Sequence, residues 1–186
     1  MTSGVFGLAA LASTMVYVRE TQAAVDIAPK WSQPRAVFAR SVTLRHRQTG
    51  EFLKADYYQN GQYVPEMMNS ISELLRDHRT NEVKPIDPAL MDLLYAVGER
   101  LEKTAEFQIY SGYRSASTNA RLRKKGFRAA RNSLHMHGMA VDIGIEGTRS
   151  RDLYRAALTL ERGGVGYYSR SSFVHVDVGK FRTWRR

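Results

Sequence analysis

The stretch Ser133-Leu134-His135-Met136-His137-Gly138-Met139-Ala140-Val141-Asp142 holds a histidine and a carboxylate seven residues apart, with a glycine between them. A second stretch, Phe173-Val174-His175-Val176-Asp177, adds another histidine and another carboxylate. Two imidazoles and one carboxylate, with a fourth position left for water, are typical of catalytic zinc, because structural zinc sites have four protein ligands. The two stretches together therefore predict a catalytic metal site.

Strand periodicity predicts which side chains of these stretches share a face. Successive side chains of a strand alternate between its two faces. In a strand over 139–144, Asp142 therefore shares its face with alanine and glycine, and in a strand over 173–178 His175 lies beside Asp177. The opposite faces carry valine and isoleucine, and we expect them to pack on the core. The small neighbours of the polar face leave room for an ion and a substrate.

His135 is predicted to reach this site from a loop. Its offset of seven residues from Asp142 is odd, so the two side chains would lie on opposite faces of one unbroken strand. Gly138 is the natural position for a bend between them. With that bend, His135, Asp142 and His175 converge as the predicted ligands of one Zn²⁺ ion. His137 is an alternative to His135 as the first ligand.

Two further residues are predicted to take part in the chemistry. Zn²⁺ lowers the pKa of bound water from 15.7 to about 7, and a nearby carboxylate can accept the proton as a peptide carbonyl is attacked. We predict Asp177 as this general base; the alternative is that Asp177 orients a zinc histidine. We predict that Arg114 stabilises the oxyanion or holds a substrate carboxylate, because guanidinium presents a planar fork. An ordinary ion pair is the alternative for Arg114.

Composition limits the class of protein. The chain has 186 residues, a formal net charge of +10 and no cysteine. We therefore expect one domain without disulfides or thiolate ligands, and an anionic partner such as a wall polymer. We expect no nucleic-acid partner, because the basic run lacks interleaved aromatic residues and a known docking motif. That run comprises Arg121, Arg123, Lys124, Lys125, Arg128 and Arg131.

The N-terminal segment predicts export. Residues 4–18 are nearly all apolar and small. This run is shorter than the 20 or so residues that a membrane span needs, and the small residues that follow it resemble a cleavage site. Because no Lys or Arg precedes the apolar run, an uncleaved anchor is the alternative. We assign residues 1–24 to a secretion signal or anchor-like segment, 25–40 to a linker and 41–186 to a zinc peptidase domain. We expect a periplasmic or secreted protein without a stable membrane span, and the sequence predicts no oligomeric state.

Periodicity predicts an α+β fold, in which a small antiparallel sheet carries the zinc site and helices flank it. Strands are predicted at 106–111, 139–144, 165–168 and 173–178, with a hairpin over 40–58. Helices are predicted at 65–78, 88–101, 117–125 and 150–161.

The assembled motifs resemble a known family. The pattern Ser133-x-His135-x-x-Gly138-x-Ala140-x-Asp142, followed by His175, is similar to the zinc D-alanyl-D-alanine metallopeptidases and their hedgehog-like (LAS) relatives, most of all to the YcbK-like branch of murein endopeptidases. The other matching stretches are residues 76–81, 111–115, 163–168 and 173–177. The resemblance implies a fold of the hedgehog and D-Ala-D-Ala peptidase type, and a peptidoglycan cross-link as substrate.

The resemblance also implies site residues. It implies that His135, Asp142 and His175 hold Zn²⁺. Arg114, Ser133 and His78 are the substrate-binding residues predicted within the matching stretches; a structural role on its helix face is the alternative for His78.

One departure from the family pattern bears on the reaction. Many relatives carry Glu or Asp three residues before the last ligand as the general base, whereas this chain has Ser172 there. Asp177 is therefore predicted as the substitute. The main hypothesis is an endopeptidase that cuts the bond between two stem peptides. The alternatives are a D,D- or L,D-carboxypeptidase that trims stem peptides, and a non-catalytic zinc module that binds peptidoglycan.

Overall fold

The computed structural model describes Met1 and residues 39–102, 105–127 and 129–186. Apart from Met1, the predicted signal or anchor-like segment lies outside the described residues, as does nearly all of the predicted linker. The described part of the chain from residue 39 onward belongs to one compact unit, Val37–Arg186. None of the described helices is both long and apolar enough to span a bilayer.

The described residues form one sheet with helices beside it. The strands are β1 Ala39–His46, β2 Phe52–Gln59, β3 Gln62–Tyr63, β4 Glu106–Ser111, β5 Ala140–Ile145, β6 Gly164–Tyr168, β7 Phe173–Asp177 and β8 Arg182–Arg185. The α-helices are α1 Pro65–Leu74, α2 Pro88–Arg100, α3 Ala116–Lys124 and α4 Ser150–Leu158, and two short 3-10 helices cover Leu134–His137 and Ser169–Ser171.

The α+β prediction is confirmed, although the sheet is larger than predicted and mixed. Its strand order is β3-β2-β1-β4-β5-β7-β6-β8. Most neighbours are antiparallel, but β1 pairs with β4 and β6 pairs with β8 in parallel. The first parallel pair arises because α1 and α2 carry the chain across between β2 and β4, and parallel neighbours need such a crossover. The second arises because β8 returns to the far edge of β6; its charged sequence shows no strand alternation.

The alternation predicted for the central strands is present. Val141 and Ile143 of β5 and Val174 and Val176 of β7 are fully buried in the core. Their neighbours in sequence occupy the opposite face of the sheet, where Asp142 lies directly across from His175. The pairing of two hydrophobic strand faces therefore sets two of the predicted ligands side by side.

Helix α2 starts where the sequence predicts. The Asp87 carboxylate accepts a hydrogen bond from the Ala89 amide at 2.9 Å, and Pro88 occupies the first turn, where its missing N–H costs nothing. Helix α1 ends four residues earlier than predicted. Leu75 is its C-cap, and the chain then turns at Asp77, which is 2% exposed and accepts the Arg79 amide at 3.0 Å.

Candidate metal centre

Three chain segments bring the predicted ligands together. Asp142 and His175 face each other across β5 and β7. His135 comes from the 3-10 helix, which ends at Gly138 in the left-handed conformation with φ +69°. A Cβ at Gly138 would overlap the Pro85 carbonyl oxygen, so this bend requires glycine for its conformation and for its space. The bend expected at Gly138 is therefore present, in a helical turn rather than an open loop.

The three ligand atoms form a small triangle. His135 Nε2 lies 3.1 Å from His175 Nδ1 and 3.3 Å from Asp142 Oδ1, and the latter two atoms are 2.9 Å apart. A tetrahedral Zn²⁺ site with bonds of about 2.0–2.1 Å has edges of about 3.3–3.4 Å. The spacing of the three atoms therefore fits one face of such a tetrahedron.

Each imidazole has an inner nitrogen, which belongs to the ligand triangle, and an outer nitrogen, which faces away from it. The hydrogen-bond partner of the outer nitrogen decides whether the inner nitrogen carries a proton or a lone pair. His135 Nδ1 lies 2.8 Å from the Gly112 carbonyl oxygen, and His175 Nε2 lies 2.9 Å from Asp177 Oδ2. Both partners are acceptors, so both outer nitrogens carry hydrogen. In the neutral rings, the lone pairs of His135 Nε2 and His175 Nδ1 then point at each other and at a carboxylate oxygen. Three acceptors at this distance repel one another unless a proton or a metal ion lies among them, so the donor set can hold a metal ion.

Burial and charge act on these groups in opposite directions. Burial lowers the pKa of His135. Burial would raise the pKa of Asp142, but the two histidines hold it far below its ordinary range. Burial also opposes a charge on His175, yet the carboxylates of Asp142 and Asp177 raise its pKa. The carboxylate of Asp142 is therefore ionised at neutral pH, as a metal ligand must be.

A cavity of about 440 Å³ opens over this cluster. Its wall combines aromatic and cationic side chains, with Arg182 over the Trp184 ring and Arg186 over the Tyr168 ring. The aromatic residues are Phe127, Tyr168, Phe173 and Trp184, and the cationic residues are Arg114, Arg182 and Arg186. Asp142 is the one carboxylate among the described residues that line it. The cavity can therefore hold a ligand with apolar and anionic parts directly against the three ligand atoms.

Arg114 and Ser133 both line this cavity. Arg114 Nη2 lies 3.7 Å from Asp142 Oδ2, and its guanidinium donates to Asn119 Oδ1 at 3.3 Å and to Ser111 Oγ at 3.4 Å. The backbone amide of Arg114 donates to the His135 carbonyl at 3.1 Å. The structure thus fixes Arg114 beside the ligand triangle, where it faces both the carboxylate and the cavity.

Asp177 does not face the cavity. It is 0% exposed and accepts hydrogen bonds from the Gly164 and Gly179 amides, from both terminal nitrogens of Arg182, and from His175 Nε2. Burial would raise the pKa of Asp177, but His175 and Arg182 hold it far below its ordinary range. A buried carboxylate with both oxygens occupied and a low pKa is a poor proton acceptor. These contacts disagree with the predicted general base and fit the alternative, in which Asp177 orients a ligand histidine.

Two other predicted histidines lie away from the ligand triangle. His78 is not on helix α1; its ring packs against His46 at a centroid distance of 5.1 Å, and it does not line the cavity. The position of His78 therefore does not support the predicted substrate-binding role, and the alternative of a structural role holds only without the helix face on which it was placed. His137 is exposed, and its Nε2 pairs with Asn132 Oδ1 at 2.8 Å, so the structure brings His135 rather than His137 to the site.

The sequence analysis did not predict that Arg182 and Trp184 lie at the candidate site. Both lie on β8, line the cavity and contact the His175 side of the cluster. The charged sequence of β8 shows no alternation that would predict a strand. Two glycines spaced by two residues, Gly164 and Gly166, were a signal that side chains cross this part of the sheet.

Comparison with known proteins identifies the family of the chain. Residues 34–184 match the family model described as peptidoglycan L,D-endopeptidase MepK. The chain is 41% identical over 145 residues to the peptidoglycan L,D-endopeptidase MepK of Escherichia coli K12. The aligned residues cover 78% of this chain and 80% of that protein. It is 40% identical over 147 residues to the probable peptidoglycan L,D-endopeptidase MepK of Haemophilus influenzae, covering 78% and 79%. These matches confirm the resemblance to the murein endopeptidase branch. The chain therefore belongs to the peptidoglycan L,D-endopeptidase MepK family.

Proposed function

We propose that this peptidoglycan endopeptidase is zinc-dependent and cuts cross-links between an L-configured and a D-configured centre, with His135, Asp142 and His175 as the metal ligands. The observation that carries this proposal is the triangle of lone-pair atoms, with edges of 2.9–3.3 Å, beneath an open cavity. Family membership supplies the substrate class. Two nitrogen ligands and one oxygen ligand without sulfur match the donor set of hydrolytic zinc sites.

Each ligand has a distinct task in holding the ion. The two neutral imidazoles donate lone pairs whose direction is fixed by hydrogen bonds on the far side of each ring. Asp142 supplies the negative charge, and its second oxygen is left facing Arg114. When bound in such a site, Zn²⁺ activates water and polarises the scissile carbonyl.

Arg114 is assigned to the substrate. Its guanidinium is held by two side-chain acceptors and lies close to Asp142 without a short ion pair. Donors therefore remain for a substrate carboxylate or for the oxygen that gains charge during the reaction. Ser133, which is 8% exposed at the cavity wall, is placed to contact the same substrate.

Asp177 is assigned to orientation of His175. Its Oδ2 accepts the Nε2–H of that ring at 2.9 Å, which keeps the Nδ1 lone pair directed at Asp142 and His135. This assignment replaces the general-base role, because neither oxygen of Asp177 faces the cavity.

We further propose a location and a domain division. Residues 41–186 form the zinc peptidase domain, 25–40 a linker, and 1–24 a secretion signal or anchor-like segment. The compact unit starts at Val37 and β1 at Ala39, a few residues before this proposed domain start. A peptidoglycan substrate places the site of action outside the cytoplasm, where the net charge of +10 favours contact with an anionic wall.

The test uses purified protein loaded with Zn²⁺ and two peptidoglycan preparations, one rich in L,D cross-links and one with D,D cross-links. We expect mass spectrometry to show loss of L,D cross-linked dimers and the matching gain of monomers. A chelator should stop the reaction, and added Zn²⁺ should restore it.

Other outcomes would identify the alternatives. Release of terminal residues with cross-links left intact would show a carboxypeptidase. Tight Zn²⁺ binding without any product would show a binding module. A protein that hydrolyses cross-links equally well after complete metal removal would contradict the proposed ligand roles.

A further inference from the structure

The last strand of the sheet reaches across its neighbour to the metal centre. In the parallel pair β6–β8, Gly164 lies beside Arg182 and Gly166 beside Trp184. On its other edge, β6 pairs antiparallel with β7, where Gly166 lies beside His175. The sheet thus contains a row across three strands, in which Gly166 separates the ligand His175 from Trp184.

The two glycines of β6 are needed for the space that they leave and not for their backbone conformation. Neither Gly164 nor Gly166 has a positive φ, so other residues could adopt these backbones. A Cβ on Gly166 would lie 2.6 Å from Cζ2 of Trp184. A Cβ on Gly164 would overlap Oδ2 of Asp177 and lie 2.6 Å from Nη1 of Arg182. Both distances are shorter than any normal contact. The missing side chains therefore leave the passage through which Arg182 and Trp184 reach over β6.

The two crossing side chains hold the His175 region from two directions. The Trp184 ring packs on the His175 imidazole at a centroid distance of 5.1 Å, and its Nε1–H donates to Tyr168 Oη at 3.2 Å. Arg182 donates through Nη1 to Asp177 Oδ1 at 3.1 Å and through Nη2 to Asp177 Oδ2 at 2.7 Å. The imidazole is thus contacted by the tilted Trp184 ring, at an interplanar angle of 48°, while the carboxylate that accepts its Nε2–H is held by a two-point ion pair.

We propose that β8 contributes to the metal centre. Its side chains Trp184 and Arg182 cross β6 over two glycines and fix the His175 ring and its partner Asp177. This inference rests on the proposed ligand role of His175. Arg182 and Trp184 are positioning residues, because they act on the ion through His175. Retention of the metal therefore depends on a strand that supplies no ligand.

The experiment measures the Zn²⁺ dissociation constant by competition with a chromogenic chelator, and the thermal unfolding of the metal-free protein. Loss of a group that orients a metal ligand typically costs 10–100-fold in affinity. We expect Trp184→Ala and Gly166→Ala each to raise the dissociation constant by about 10-fold or more. Trp184→Phe should restore most of the affinity, because a smaller ring can still pack on the imidazole.

A double variant tests the passage itself. Gly166→Ala is expected to be harmful because its methyl group displaces Trp184. In a chain that already carries Trp184→Ala, the added methyl group should therefore raise the dissociation constant by less than 2-fold. Additive effects of the two substitutions would overturn the claim that Gly166 serves Trp184.

Arg182 and Arg185 provide a matched pair on one strand. Arg182 contacts Asp177, whereas the guanidinium of Arg185 lies over the Tyr154 ring at 5.4 Å. Arg182→Ala should weaken Zn²⁺ binding by about 10-fold, and Arg185→Ala should leave it within 2-fold. Equal effects of the two substitutions on affinity, or effects confined to the unfolding temperature, would reduce β8 to an ordinary structural strand.

The outcomes separate this inference from the proposed function. If the unsubstituted protein binds no Zn²⁺ or releases no cross-link fragments, the proposed function fails. If the unsubstituted protein binds and cleaves, and Trp184→Ala and Arg182→Ala do so with unchanged affinity, only the role of β8 fails.

Discussion

The two histidines of the candidate metal centre have different kinds of hydrogen-bond partner. His135 lies on a 3-10 turn, and its Nδ1–H donates to a backbone carbonyl, that of Gly112. His175 lies on a strand, and its Nε2–H donates to a side chain, that of Asp177, which Arg182 holds in turn. Both partners fix the tautomer of the ring that they contact, but different substitutions can disturb the two histidines.

The comparison shows where the site is open to change. A backbone carbonyl is present whatever the side chain, so no deletion of a functional group removes the partner of His135. The partner of His175 disappears with one substitution. The His175 side can therefore be tuned by side chains, whereas the His135 side depends on the path of the backbone.

The largest expected effect is loss of a ligand, and it should not distinguish the two sides. His135→Ala and His175→Ala should each weaken Zn²⁺ binding by more than the roughly 100-fold that loss of an orienting partner can cost. Both variants should lose cross-link hydrolysis. Zinc content after gel filtration and product analysis test this expectation, and a variant that keeps one bound ion per chain would remove that histidine from the ligand set.

Asp177→Asn should give the next largest effect, and it should act on the His175 side of the site but not on the His135 side. The amide cannot replace the charge that faces His175 and Arg182, so we expect the Zn²⁺ dissociation constant to rise about 10–100-fold. If Asp177 were the general base, the rate of hydrolysis would fall while metal affinity stayed the same. Asp152→Asn, which removes a carboxylate paired with Arg149 on the surface, is the control and should change neither quantity.

Gly112→Ala should disturb the His135 side through the backbone. The new Cβ would lie 2.9 Å from the Leu75 Cα and overlap the carbonyl oxygen of that residue. We expect a loss of about 1–3 kcal/mol in the free energy of unfolding, and a fall in Zn²⁺ affinity near the lower end of the 10–100-fold range, because the carbonyl itself is retained. Denaturant unfolding and chelator competition measure the two effects; an unchanged affinity with lowered stability would show that the Gly112 carbonyl tolerates displacement.

His137→Ala should have the smallest effect. Its ring is exposed and pairs with Asn132 rather than with a ligand. Zn²⁺ affinity and the rate of hydrolysis should both remain within about 2-fold of the parent, as for a surface substitution. Loss of zinc in this variant would mean that the site uses His137 instead of His135.

The sequence predicted the ligand cluster because that prediction depends on local patterns. Alternation along β5 and β7 places Asp142 and His175 on one face, and the odd offset of His135 requires the bend found at Gly138. These rules need no knowledge of distant contacts. The α+β class followed from the same periodicities.

The orienting role proposed for Asp177 could not be predicted from local sequence patterns. Its position on the same strand face as His175 fits a base and an orienting group equally well. The choice depends on Arg182, which reaches it from β8 across β6, and no periodicity predicted that strand. His78 was predicted on helix α1 for a related reason, because the hydrophobic pattern continues beyond Leu74, where the helix ends.

The tight bend at Gly138 links the metal centre to the start of helix α2. The Asp87 amide donates to the Gly138 carbonyl at 3.0 Å, and the Pro85 carbonyl fills the space where a Cβ would stand. An ion that immobilises His135 would stiffen this turn and with it the hydrogen bond from Asp87. Slower amide hydrogen exchange at Asp87 would therefore report occupancy of the site from a residue that is not itself a ligand.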